Sequence, residues 1–128
     1  MIQLINLAKH YGKLAAVDNL NLKVPAGEIF GFLGPNGAGK TTTIRVMMGI
    51  LKATSGQVLL DGHDVVTEAR KAKAIAGFIP DRPFIYEKLS GSEFLQFVGK
   101  LHRLESGQLG RRMAELLEHL ELTHWKDE

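Results

Sequence analysis

Cysteine is absent from all 128 residues, which excludes disulfides and thiolate metal sites and suits a reducing cytoplasm. Apolar runs are short. None approaches the ~20 residues that span a bilayer, and no charged segment precedes an apolar stretch at the start, so neither direct membrane insertion nor a signal peptide is expected. Charge is nearly balanced: a formal net charge of +2 is too small to argue for nucleic acid. The one dense basic cluster, Arg70-Lys71-x-Lys73, reads as a solvated helix face. Internal repeats and low-complexity segments are lacking too. What remains, 45% hydrophobic and 23% charged, is the composition of a globular domain, and the length suffices for one such domain to bury about two-thirds of its unfolded surface.

Glycine, by contrast, is concentrated where it carries chemistry. Gly34-Pro35-Asn36-Gly37-Ala38-Gly39-Lys40-Thr41-Thr42 fills the G-x-x-x-x-G-K-[ST] pattern of a phosphate-binding P-loop. The surroundings suit it. Glu28-Ile-Phe-Gly-Phe-Leu33 is a short apolar run that reads as a buried strand, and Ile44, Met47, Met48 and Leu51 recur at helical spacing. Strand, glycine loop and helix are the context this motif requires. Glycine lets the backbone approach a phosphate, successive amides form an anion cradle, and the helix N-terminus adds to it. Lys40 would reach the β- and γ-phosphates, and the Thr41 hydroxyl is placed to ligate Mg²⁺.

Ahead of the loop, Ile2 to Leu7 and Leu14 to Val24 alternate as strands around a Tyr11-Gly12-Lys13 turn. Pro25-Ala26-Gly27 turns the chain into the strand before the loop. Beyond the helix come a strand from Gln57 to Leu60, the turn Asp61-Gly62, a weakly helical Val65 to Ala74, and a short apolar strand Ile75 to Ile79. From residue 90 the pattern is helical. Ser90 and Glu93 form a capping box ahead of Phe94, Phe97, Val98 and Leu101. Ser106 is expected to cap a last helix with the stripe Leu109, Met113, Leu116, Leu117 and Leu120.

The order of these pieces resembles the ATP-binding subunit of ABC transporters over nearly the whole chain. Four stretches carry the resemblance: Tyr11 to Leu22, the Walker A segment Gly34 to Thr42, Thr54-Ser55-Gly56 to Gly62, and Ile75-Ala-Gly-Phe-Ile-Pro80. It implies an α/β P-loop NTPase core, with a mixed sheet and antiparallel N-terminal strands, followed by the start of a helical subdomain. The domain boundaries expected are 1–82 for the ATP-binding core and 83–128 for the helical part. By resemblance Tyr11 stacks on adenine, Val17 packs nearby, and Thr42 bonds an α-phosphate oxygen. ATP and Mg²⁺ are the implied cofactors. The implied partners are a transmembrane permease subunit and a second ATP-binding subunit, which places the protein on the cytoplasmic face of the membrane.

Three departures qualify the resemblance. Asp81 stands where the family usually has the Q-loop glutamine; it could reach Mg²⁺ through water but cannot donate a hydrogen bond. Phe84 and Tyr86 fall where the family docks its membrane partner, and core packing explains them equally well. Leu89-Ser90-Gly91-Ser92-Glu93 superficially matches LSGGQ but follows the Q-loop directly, so the capping reading is preferred. After Leu122 the sequence holds no apolar strand ending in Asp-Glu, no Walker B aspartate and no switch histidine. The expectation is therefore the N-terminal part of a nucleotide-binding domain that binds ATP better than it hydrolyses it. Rival readings are a regulatory module that binds nucleotide without hydrolysis and a P-loop small-molecule kinase. His10, His63, His102, His119 and His124 are expected at the surface.

Overall fold

The structure, a computed structural model, describes residues 1–83 and 85–128. It divides into two compact units, Met1–Ile79 and Pro80–Glu128.

In the first unit, β1 (Ile2–Tyr11) and β2 (Leu14–Val24) form an antiparallel hairpin, and β1 also pairs with β3 (Ser55–Leu60), which pairs with β4 (His63–Asp64). The sheet order is β2-β1-β3-β4, and each pairing is antiparallel. Two asparagines bend the strands. Asn6 and Asn19 take φ of 47° and 44°, values asparagine tolerates better than most residues. The Asn21 side chain occupies the space so made, accepting from the Asn6 amide at 2.8 Å and donating to the Asn19 carbonyl at 3.1 Å. At Gly56 a Cβ would collide with the Ile5 and Asn6 backbone, so the close approach of β3 to this bulge requires glycine.

Helix α1 (Lys40–Met47) lays Thr43 and Val46 inward. Val46 joins Leu4, Leu7, Val17, Val58, Leu60, Val65 and Ala72 in one core. The helix ends earlier than the apolar spacing predicts, because Gly49 at φ 60° turns the chain; Leu51 reaches the core from beyond the helix. Of the weakly helical stretch Val65 to Ala74, only α2 (Ala69–Ala74) is helix. Asp64 organises the rest as a turn, its Oδ1 accepting from the amides of Val66 and Thr67 at 2.7 and 2.9 Å.

Two predicted strands do not form. Glu28–Leu33 and Ile75–Ile79 belong to no strand, and Ile29, Leu33 and Ile79 are 104%, 91% and 90% exposed. A strand is made by its neighbour: apolar side chains supply the pattern, but the ladder requires an adjacent backbone to pair each amide and carbonyl.

The second unit contains α3 (Gly91–Leu101), α4 (Ser106–His119) and a 3₁₀ turn at Thr123–Trp125. The capping box is present: the Glu93 amide donates to Ser90 Oγ at 3.3 Å, and the Ser90 amide to Glu93 Oε2 at 2.9 Å. Ser106 is not the cap of α4; Glu105 holds that position with no side-chain hydrogen bond, and Ser106 is the first helical residue. Gly99 of α3 leaves room for Leu109 of α4, since a Cβ there would overlap the Leu109 side chain.

Candidate functional site: a glycine loop at the head of α1

The loop turns into α1 through two left-handed residues, Gly37 at φ 84° and Gly39 at φ 82°. Such values cost an L residue about 1–2 kcal/mol. Gly39 meets a second constraint, because a Cβ there would lie on the Ala16 carbonyl oxygen and 3.4 Å from Val17 Cγ2. The loop is thus pressed against β2. Within it, the Ala38 amide donates to the Pro35 carbonyl at 3.3 Å and closes a turn.

No side chain caps α1, and its first turn carries no acidic residue. The amides of Lys40, Thr41 and Thr42 are therefore the open donors with which every helix begins. Together with the positive end of the helix dipole they favour an anion. The Lys40 ammonium folds back across the loop, donating to the Gly34 carbonyl at 2.5 Å and to the Pro35 carbonyl at 2.7 Å. An arriving phosphate would meet this cation already held on the loop. Pro35, Asn36 and Thr41 are exposed and Thr42 is half-buried. The residues present fit a polyphosphate: a glycine backbone that no Cβ obstructs, uncapped donors, and a cation on the loop.

Thr43 is a residue the motif does not single out. It is 2% exposed, and its hydroxyl donates to the Gly39 carbonyl at 2.9 Å while its amide donates to the same oxygen at 2.8 Å. These two bonds pin the last loop residue to the first helical turn. Its place on the inward side of the helix, with Val46, was the available signal.

Tyr11 ends β1, half exposed, with the Lys9 ammonium 5.1 Å from its ring centroid. Val17 is buried in the core and also backs Gly39. One residue of the sheet therefore serves the packing and the loop together. Asp81 lies in the second unit, in an exposed bend. Phe84 lies outside the described residues, and Tyr86 packs edge-on against Phe97 at 5.4 Å and tilted to Phe94 at 6.4 Å. Among the described residues no three His, Asp or Glu side chains gather as a metal site. His10, His102, His119 and His124 are exposed, while His63 is half-buried beside Glu68, Nδ1 to Oε1 3.3 Å. No helix is long and apolar enough to cross a membrane among the described residues.

Similarity to known proteins agrees with this geometry. The family model described as ABC transporter matches residues 17–128. The linearmycin resistance ATP-binding protein LnrL of Bacillus subtilis is 40% identical over 123 residues, 96% of this chain and 40% of LnrL. The daunorubicin resistance ATP-binding protein DrrA3 of Streptomyces coeruleorubidus is 40% identical over 89% of this chain and 36% of its own length. The chain thus spans well under two thirds of these relatives. Among solved structures, an ATP-binding subunit of an ABC transporter superposes with a TM-score of 0.88 at 24% identity, covering 100% of this chain and 53% of the other. A dimeric post-hydrolysis state of the ATP-binding cassette MJ0796 bound to ADP and Pi gives 0.83 at 23% identity, covering 100% and 61%. At those identities the structures speak for the fold. With the family match spanning most of its length, this chain belongs to the ABC transporter family, as part of an ATP-binding domain.

Proposed function

We propose that this chain forms the triphosphate grip of an ABC-type ATPase subunit whose whole form powers transport across a membrane. The observation that carries the reading is the loop itself: glycines at positive φ, uncapped amides at the head of α1, and the Lys40 ammonium held on the Gly34 and Pro35 carbonyls. In this reading Gly34 to Thr42 encloses the phosphates and Tyr11 offers its ring to adenine, a contact that contributes about 1–3 kcal/mol. Val17 fixes the loop from behind. Mg²⁺, when bound, would neutralise charge on the β- and γ-phosphates; Thr41 is the ligand this chain offers, with Asp81 a second candidate through water. Residues 1–82 then serve as nucleotide core and 83–128 as the beginning of the helical subdomain, a boundary near the division between the two compact units at Ile79 and Pro80. The partners are a permease and a second ATP-binding subunit, with the protein peripheral on the cytoplasmic face.

Phosphate binding and turnover part company here. Donors grip the triphosphate, whereas hydrolysis also needs a group that positions water, and none of the residues assigned to the site here has that role. Calorimetry with Mg-ATP is expected to show binding by the 128-residue chain that Lys40→Ala weakens at least tenfold. Absence of heat from folded protein, or an unaltered Lys40→Ala affinity, contradicts the proposal. Transporter-like turnover by the same chain would contradict the split between binding and hydrolysis.

A further inference from the structure

The phosphate end of the site is defined by its loop; the base end rests on Tyr11, whose surroundings include a cation. Lys9 and Tyr11 are two residues apart on β1, and the Lys9 ammonium lies over the Tyr11 ring. The Lys9 ammonium donates to the Lys52 carbonyl at 2.9 Å and stands 5.1 Å from the Tyr11 ring centroid. Lys52 follows α1, and Lys9 lies in register with Val17, the residue that backs Gly39. A lysine ordinarily keeps a flexible four-carbon stem and about 2 kcal/mol of rotamer entropy. Here both ends are committed, the backbone to the sheet and the ammonium to a carbonyl and a ring.

We propose that Lys9 is a positioning residue for the nucleotide base, acting through Tyr11. The inference rests on the reading of Tyr11 as the base platform. The anchored ammonium covers one face of a half-exposed ring and restrains its rotation, which leaves the opposite face for a flat partner. Because Tyr11 then needs no reordering when the base arrives, Lys9 favours base binding without touching the phosphates. The ligand class singled out is a nucleoside polyphosphate, as distinct from a bare polyphosphate.

The test is calorimetry on the 128-residue chain with Mg-ATP and with inorganic tripolyphosphate. Lys9→Met is expected to weaken ATP about two- to fivefold, the range an exposed cation–π contact supports, and to leave tripolyphosphate unchanged. Lys9→Arg should restore ATP affinity, and Lys9→Met should have no effect once Tyr11 is alanine. Equal loss of both ligands would show that Lys9 acts on the phosphates or on folding, and would overturn the proposal. So would a gain in ATP affinity, which places the ammonium on the face the base requires, or a loss that persists in Tyr11→Ala. If Tyr11→Ala itself leaves ATP unaffected, the base platform and this inference fall while the P-loop reading stands. If Lys40→Ala changes neither ligand, the parent reading fails as well.

Discussion

Gly37 and Gly39 look alike in the motif and differ in what their backbones face. Nothing lies within 4 Å of a Cβ at Gly37, whereas at Gly39 the Ala16 carbonyl occupies the space. Gly37→Ala should therefore cost only the left-handed conformation, about 1–2 kcal/mol. Gly39→Ala adds a backbone collision and should cost about 2–4 kcal/mol; urea midpoints of the two variants measure the difference, and equal costs would contradict the packing. Asp64 is sensitive to pH. The Thr67 amide, opposed by partial burial and joined by Gln57 and the Val66 amide, holds its carboxyl below the ordinary 3.8. A depressed folded pKa means stability that is present above the unfolded value and is lost as pH falls through the folded one. Asp64→Asn is expected to lower stability by about 1 kcal/mol at neutral pH and to flatten the acid limb below pH ~4, read from urea midpoints at pH 3 and 6.

Among the elements, α3 and α4 begin differently. Helix α3 has a reciprocal capping box, while Glu105 ahead of α4 makes no side-chain cap bond. Ser90→Ala should destabilise α3 by about 1 kcal/mol, while Ser106→Ala should be near neutral because Ser106 is the first residue inside its helix. Amide hydrogen exchange in the first turns of both helices checks this: exchange should quicken in α3 alone. The hairpin shows another kind of dependence. Alternation marked β1 and β2 as strands, but at the bulges Asn21 satisfies the Asn6 amide and the Asn19 carbonyl. That coupling joins positions fifteen residues apart and has no local pattern.

Over the first unit as a whole, the apolar run before the loop faces water. Ile29 and Leu33 are fully or nearly exposed, so Ile29→Ser in this chain should change stability by less than about 0.5 kcal/mol and reduce aggregation in light scattering. In a longer chain, with the additional sequence its relatives carry, the same change should cost about 2 kcal/mol or more if a strand comes to cover Ile29. Equal effects in the two chains would mean that this segment is not a strand awaiting neighbours.

The backbone of the glycine loop was legible because its signal is local: closely spaced glycines ahead of a helix set the left-handed turns seen at Gly37 and Gly39. The hairpin strands and the α3 capping box were legible for the same reason, since period-two alternation and a three-residue cap are short-range signals. Packing decided the rest. Whether Glu28–Leu33 became a strand depended on a neighbouring backbone, and Gly39's second role on the position of Ala16 in β2. Those are contacts between distant positions, and sequence periodicity records only which residues seek cover, not which partners supply it.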